Sequence, residues 1–536
     1  MSEQTQVPSQ KIDPLVAVEL LINANKLDDA ERLVATMNTD DTTRYTLRGV
    51  IALRRKDMDA GHRLLSKAVE LAPGNALAQG HLGSLLITQK RFKEAVPLLD
   101  RALKRYPDNY QFVVNKALLM NELHEHESLV EFLQPRLALG EKRGSTLHTI
   151  LISALRSLYR LDEARQLLEE TLPQFPDSGE LVKLRADLLS EVDPAKAASA
   201  YEVMHAEGSL GKASAWNSSF VDLRNRNWKR GLENYEFGLD GEIGTIGRPL
   251  PDVVKQLPRV ERLADLDPDR WLVMSGEQGI GDQVFFMSVF TELLERHKKV
   301  VVVADQRMLP VIGRSFPQAS MLRFGSAHLL RDRAEVQGYM PMGSLLREFR
   351  AETVDFLAGR RPYLVPEPSI TKKYRDSLRK HSPGKPVVGI SWKGGFWERQ
   401  QKGKTLELSA WEPLLSREDA TFVSLQYGDT TAEQAFCREK GFNVKFIKGM
   451  DFKKDLDGWF SVICACDLIV SISTAMVHFA GAAGKKVYVL LSDRQQPFVW
   501  GLEETRSIVY PDVHLVRMAS GSAPVEYFRH LNRIFK

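Results

Sequence analysis

WLVMSGEQGIGDQVFF, residues 271–286, is the stretch whose reading fixes the class of the second half of the chain. The apolar run from Trp271 to Met274 reads as a strand, Gly276, Gly279 and Gly281 make a loop, and a helical apolar pattern follows from about Gln283. A loop that ends a strand and opens a helix turns backbone amides and a helix N-terminus toward an anion or a sugar. The glycines run G-x-x-G-x-G and lead to Asp282, so this is not the dinucleotide fingerprint. No Gly-Lys-Ser/Thr follows, so it is not a P-loop either. Asp282 also suits the first turn of a helix as a capping residue. The residues alone leave ligand binding and plain capping open.

Strand–helix alternation continues on both sides. A helix over about 283–297, a strand at 300–304 and a helix near 306–315 follow the loop. A second set of strands is expected at 386–390, 421–425, 444–447, 467–471 and 487–491. Such alternation implies parallel sheets covered by helices. The proline-rich PYLVPEPS, residues 362–369, separates the sets. The expected units are therefore two Rossmann-like domains, 269–365 and 386–536, joined by a linker at 366–385. Their cleft should lie at the carboxyl ends of the strands.

Three further strand-end loops carry candidate chemistry. In SISTAMVHFAGAAGKKVYVLL, residues 471–491, Ser473 and Thr474 can cap a helix whose first amides bind phosphate oxygens. His478 lies one turn beyond Thr474 on the same face. A tightly packed, capped helix with a satisfied histidine is the plainer alternative. SWKGGFWERQQKGKTLELSAW, residues 391–411, carries Lys393, Arg399, Lys402 and Lys404 on a glycine-containing loop. Such a loop can neutralise a leaving phosphate, although a solvated charged loop accounts equally for Arg399 and Lys402. SLQYGD, residues 424–429, offers Gln426 and Tyr427 to a base or ribose.

The first half has another period. LAPGNALAQGHLGSLLITQKRFKEAVPLLDRALKRYPDN at 71–109 parallels STLHTILISALRSLYRLDEARQLLEETLPQFPDS at 145–178. Pro73 and Pro107 are 34 residues apart, as are Gly49 and Gly83, Gly61 and Ala95, and Ala68 and Ala102. Ala30 and Ala164 extend the Gly61–Ala95 series. Small residues at these points let antiparallel helices approach, and proline ends the second helix. The pattern resembles the tetratricopeptide repeat (TPR), with a degenerate unit at 115–139. Five or six helix pairs are expected over 12–239, forming an α-solenoid whose groove takes a protein partner or which merely spaces the second half. A Gly/Pro-rich linker at 240–268 follows.

Composition narrows the class. With 536 residues, 43% apolar and 26% charged, the chain is an ordinary globular protein of two to four domains. A net charge of +4 does not point to nucleic acid. Cys437, Cys464 and Cys466 are too few for a disulfide framework or a zinc site of their own, and read as buried thiols. The longest uncharged run, 468–484, falls short of a membrane span, and the opening MSEQTQVPSQK has no signal pattern. A cytoplasmic location is expected.

In combination, GEQGIGDQVFF (276–286), SWKGG (391–395), SLQYG (424–428) and STAMVHFAGAAGK (473–485) resemble the heptosyltransferase-like glycosyltransferases, family 9, and their TPR-fused relatives. NWKRGLENYEFGL, residues 227–239, is similar to a segment those relatives carry before the catalytic part. The resemblance implies an α + α/β architecture: a TPR solenoid, then a GT-B fold of two Rossmann-like domains. It implies an inverting, metal-independent enzyme with no cofactor, its nucleotide-sugar being a substrate. Asp282 would be the general base, and Lys404 would bind phosphate. The amides at Thr474, Ala475 and Met476 would hold the donor, with His478 and Gln426 beside it and Gly279, Gly281, Gln283 and Lys393 on the cleft loops. Ser473 stands where relatives commonly have aspartate, and in 493–501 no arginine directly precedes Trp500, where relatives often place one. TPR-fused relatives include enzymes that glycosylate flagellin with nonulosonic acids, which makes flagellin the candidate acceptor and a CMP-nonulosonic acid the candidate donor. Sugar transfer to lipopolysaccharide and a non-catalytic scaffold with a relic transferase domain are the alternatives.

Overall fold

Turns of one design join the helices of the first half. The computed structural model describes residues 13–138, 144–240, 247–352, 361–380, 382–394, 405–491, 497–502, 504–518 and 525–534. Contacts divide the chain into two compact units, Met1–Arg185 and Ala186–Lys536. In the first unit the helices pair as Pro14–Asn23 with Leu27–Thr36, Asp41–Arg54 with Met58–Leu71, and Ala76–Thr88 with Phe92–Arg105. Tyr110–Glu122 with His126–Ala138 and Thr146–Ser157 with Leu161–Thr171 complete it. Within each pair the turn residue is left-handed: Asn25, Lys56, Lys90, His124 and Tyr159 have φ of 56°, 64°, 59°, 60° and 59°. The next amide then reaches back to a free helix carbonyl, as in Asp57 N to Ala52 O (3.0 Å) and Arg91 N to Leu86 O (2.8 Å). This closes the helix end by the Schellman pattern. Between pairs, Asn75 and Asn109 side chains accept from the amides of Ala78 and Phe112 and start the next helix.

The small-residue register extends further than the sequence suggested. The fourth residue of the second helix in successive pairs is Ala30, Gly61, Ala95, Leu129, Ala164, Ala197 and Gly231. A Cβ at Gly61 would lie 2.4 Å from Leu53 Cδ2, and one at Gly231 would lie 2.8 Å from Leu223 Cγ, so the helices touch there. The pairs number seven among the described residues, not five or six, because Gly179–Val192 with Pro194–Ala206 and Lys212–Arg224 with Trp228–Tyr235 continue the series. The unit expected to be degenerate is a regular pair with Leu129 buried at the small position.

The expected boundary at 239/240 is not where the compact units part. They part at 185/186, because Trp216, Leu223, Trp228, Leu232 and Tyr235 belong to the same apolar core as the sheets. The expected linker at 366–385 is also revised. It holds the helix Pro368–Lys380, which packs on the helix Leu456–Ala465 and donates from Arg375 to the Cys464 carbonyl (3.2 Å).

Two parallel sheets make the rest of the second unit. The first has β1 (Trp271–Ser275), β2 (Val300–Ala304), β3 (Ser320–Arg323) and β4 (Val336–Pro341) in the order β3-β2-β1-β4. The second has β5 (Val387–Ser391), β6 (Thr421–Ser424), β7 (Val444–Phe446), β8 (Leu468–Ile472), β9 (Lys486–Leu491) and β10 (Val513–Arg517) in the order β10-β9-β8-β5-β6-β7. Every pairing is parallel. β2 and β5 are buried along their whole length, as strands covered on both faces must be. Strand order reverses between β1 and β4 and between β5 and β8, and crevices open at the carboxyl ends of such pairs. No helix among the described residues is long and apolar enough to cross a membrane.

Lys56 and Lys90 are exposed and occupy a conformation that disfavours side chains by roughly 1 kcal/mol. Lys56→Gly and Lys90→Gly should each stabilise the first unit by about 0.5–1 kcal/mol, read as an upward shift in its urea midpoint.

Candidate active site

The loop after β1 is shaped from beneath by a buried ion pair. Arg248 and Glu277 side chains are fully enclosed, with Arg248 Nε to Glu277 Oε2 and Nη2 to Oε1 both at 2.8 Å. Glu277 Oε1 also accepts the Gly343 amide at 2.6 Å. A side chain at Gly343 would strike that carboxylate and the guanidinium. Arg248 further donates to Glu236 Oε1 (2.8 Å) and Ser344 Oγ (3.0 Å). Burial alone would lower the Arg248 pKa, but the charges of Glu277 and Glu236 outweigh it and raise the pKa. Burial likewise favours neutral Glu236, and Arg248 and Arg347 overcome that and lower its carboxyl pKa. The reversal point of the first sheet is thus filled by protein ions, and the loop is displayed above them.

The helix Ile280–Phe286 starts on that loop, three residues earlier than the sequence suggested. Asp282 Oδ2 accepts the Gly279 amide at 3.1 Å, the expected capping contact, and the residue is exposed. From the second sheet, β8 leads through Ser473 and Thr474 into the helix Ala475–Ala482. The two helix starts meet directly. A Cβ at Gly281 would lie 3.1 Å from both Ala475 Cα and His478 Cδ2, so only glycine permits this approach without displacement.

A cavity of about 290 Å³ opens beside this contact. Gly279, Gly281 and Asp282 line one side; Ser473, Thr474, Ala475 and His478 line another. Arg307, Lys453, Tyr427, Phe452, Trp459 and Phe498 complete most of the wall. Arg307 is held bidentate by Asp305 (2.9 and 2.7 Å) and donates across to the Lys453 carbonyl (2.7 Å), tying the two sheet regions together. The Lys453 ammonium lies 5.6 Å from the Tyr427 ring centroid. The cavity therefore combines a carboxylate, two cations, aromatic walls and the start of a helix whose first amides have no intrahelical acceptors.

Several sequence expectations change in detail. Thr474 sits at the N-cap without a side-chain capping bond; its hydroxyl lies 3.5 Å from Ser471 Oγ. Ser473 Oγ accepts from Trp500 Nε1 (2.8 Å) rather than capping the helix. The Met476 side chain is wholly buried in the core, so only its amide is placed at the helix start. His478 lines the cavity while Nδ1 shares a hydrogen bond with the Tyr510 hydroxyl (2.8 Å) and the ring stacks on Trp500 at 5.1 Å.

Gln426 is a brace. Its Oε1 accepts from Ser391 Oγ and the amides of Trp392 and Lys393 (2.9–3.1 Å), and Nε2 donates to the Lys393 carbonyl (3.0 Å). These bonds engage its amide with the loop after β5. It borders an adjoining cavity of about 280 Å³, shared with Tyr427, Thr430 and Asp451. Lys393 is exposed and its side chain is outside the lining of the main cavity. Gln283 is buried and lies close to Gly276, also outside that lining. Lys404, Arg399 and Lys402 lie outside the described residues.

Arg307, Phe452, Lys453, Trp459 and Phe498 were missed. Arg307 follows β2 directly, so the strand-end rule already applied would have found it. Phe452, Lys453 and Trp459 sit on segments with no motif, and Phe498 lies in the 493–501 stretch. Asp455 caps its helix by accepting from Gly458 N (2.8 Å), and Asp457 pairs with Arg314. Among the described residues no group of three His, Cys, Asp or Glu side chains is placed to hold a metal.

A tetratricopeptide-repeat family model matches residues 52–113. The N-terminal region carries tetratricopeptide repeats. Over 512 residues the chain is 24% identical to protein FlbA of Caulobacter vibrioides, covering 90% of this chain and 83% of that protein. Over 101 residues it is 30% identical to the uncharacterized protein y4yS of Sinorhizobium fredii, covering 19% of this chain and 56% of that one. Among solved structures, a tetratricopeptide repeat protein from Parabacteroides merdae matches at 14% identity, 42% of this chain and 90% of its own, with a TM-score of 0.34. Pseudomonas aeruginosa pilF matches at 19% identity, 39% and 93%, with a TM-score of 0.31.

Two outcomes test the site's frame. Removing one partner of a buried pair strands the other charge, so Arg248→Met should destabilise the second unit by about 3–5 kcal/mol in chemical denaturation. Burial pushes the thiols of Cys464 and Cys466 up to about 12 and that of Cys437 up to about 11. Native protein at pH 8 should therefore leave a thiol reagent unconsumed until denaturant releases all three.

Proposed function

We propose that the second unit is a GT-B-type glycosyltransferase acting on a protein acceptor recruited by the repeats. The supporting observation is that Asp282 and the Thr474-led helix start, carried by different parallel sheets, line one cavity. In this reading the amides at Ala475 and Met476 bind the donor's phosphate oxygens. The adjoining cavity beside Tyr427 takes its nucleoside. Lys453 neutralises the charge that grows on the leaving phosphate. Asp282 removes the proton from the acceptor hydroxyl as that oxygen attacks the anomeric carbon, and the nucleotide departs from the opposite face. A single displacement of this geometry inverts the anomeric centre. The nucleotide-sugar is a substrate, and no cofactor is invoked.

The acceptor reading rests on the repeats, since tetratricopeptide arrays present extended concave surfaces. Flagellin as acceptor and a CMP-nonulosonic acid as donor come from the resemblance of the sequence motifs, and the 24% identity to FlbA across 90% of the chain carries no activity of its own. A thermal-shift screen of UDP-, ADP-, GDP- and CMP-sugars identifies the donor class, because a ligand that binds the native state raises its stability. With the donor found, Asp282→Asn should reduce transfer by about 10²–10⁴-fold while nucleotide binding is unchanged. Undiminished transfer by that variant overturns the assignment of the base. Absence of any donor binding favours the scaffold alternative.

A further inference from the structure

The segment NWKRGLENYEFGL, residues 227–239, has no role in the chemistry above, yet it reaches both walls of the cavity. The hydroxyl of Tyr235 donates to Gln278 Oε1 at 2.9 Å. Gln278 precedes Gly279 and has φ of 55°, a left-handed backbone that a residue with a side chain adopts at a cost. Tyr235 is 1% exposed and is set by its neighbours: its ring packs edge-on to Phe286 and Phe498, and the Arg248 guanidinium stands 4.5 Å from its centroid. Phe498 is itself a cavity wall on the opposite, second-sheet side. At the other end of the same helix pair, Arg226 donates from Nε to Glu504 Oε1 at 2.5 Å and from Nη1 to the Phe498 carbonyl at 3.5 Å.

One helix pair, Lys212–Arg224 with Trp228–Tyr235, therefore touches both the loop that leads into the Asp282 helix and the segment that bears Phe498. We infer that this last repeat-like pair is a working part of the cleft, with Tyr235 a positioning residue that holds Gln278 left-handed and so presents Asp282 to the acceptor. Tyr235 does not line the cavity and touches no substrate; it acts through Gln278 on one side and Phe498 on the other. Burial raises the phenol pKa well above its ordinary value, so the hydroxyl is a donor at any working pH. The strained residue lies between Glu277, fixed by Arg248, and Gly279, whose amide Asp282 accepts. Releasing Gln278 loosens the link between Glu277 and Gly279.

The kinetic arm of the test rests on the transferase reading; the structural arm does not. In the full chain, Tyr235→Phe removes one oxygen and keeps the ring. Hydrogen–deuterium exchange without ligand should then quicken at least tenfold at residues 278–282 and remain unchanged in the first unit. Unchanged exchange in that loop overturns the inference, whatever the protein catalyses. With a donor identified, the variant should lose at least tenfold in kcat with donor KM altered less than twofold. Gln278→Gly, which accepts a positive φ at no steric cost, should recover part of that loss in the Tyr235→Phe background. Equal losses in donor affinity and turnover, or no recovery by glycine, overturn the positioning role. A wild-type chain that transfers no sugar while the exchange result holds counts against the transferase reading alone.

Discussion

The second unit depends on the approach of two helix starts at Gly281 and Ala475. A single methyl at residue 281 would press within 3.1 Å of the opposing backbone, so the cleft's depth is set by an absent side chain. Two helix N-termini at this distance bring two partial positive charges together. Asp282 offsets one of them by accepting the Gly279 amide. What is left over at Ala475 and Met476 favours an anionic ligand, so the same packing that joins the sheet regions also gives the cavity its chemical bias.

Holding such a loop open needs rigidity from below. The Arg248–Glu277 pair is poor as a source of net stability, because desolvating two ions cancels much of their attraction. Its value is geometric. A bidentate guanidinium with five donors fixes the orientation of a carboxylate that in turn holds the Gly343 amide. The crevice where the first sheet reverses is thereby closed to ligands, while the loop after β8 in the second sheet borders the open cavity. Both sheets reverse their strand order once.

Much of this was legible in the sequence because it is local. β2 and β5 are continuous apolar runs, and the repeat period is written in Gly49, Gly83, Gly61 and Ala95. Asp282, Gly279, Gly281, Thr474, Ala475 and His478 were found because they follow strands, and they do line one cavity. β3, β4 and β10 were not found: β3 is half exposed with polar ends, β4 is broken by Gly338 and Pro341, and β10 carries His514 and Arg517. Partnerships across long separations were beyond reach. Gln426 looked like a ligand contact because its bonds to residues 391–393 bridge more than thirty positions, about as far as any local pattern fails to show. The boundary was misplaced for the same reason, since Trp216 and Tyr235 follow a helical period whichever body they pack on.

The seam at Arg185 falls inside a run of helix pairs that share one register, Ala197 and Gly231 repeating the role of Gly61 and Ala95. Upstream pairs contact chiefly their neighbours, as in any solenoid. Duplication or loss of a whole pair there leaves the terminal pairs, and the core they share with the sheets, undisturbed. Lineages descending from such a chain are free to lengthen or shorten the repeat array by recombination in units of about 34 residues, the period of Pro73 and Pro107, without rebuilding the sheets of the second unit.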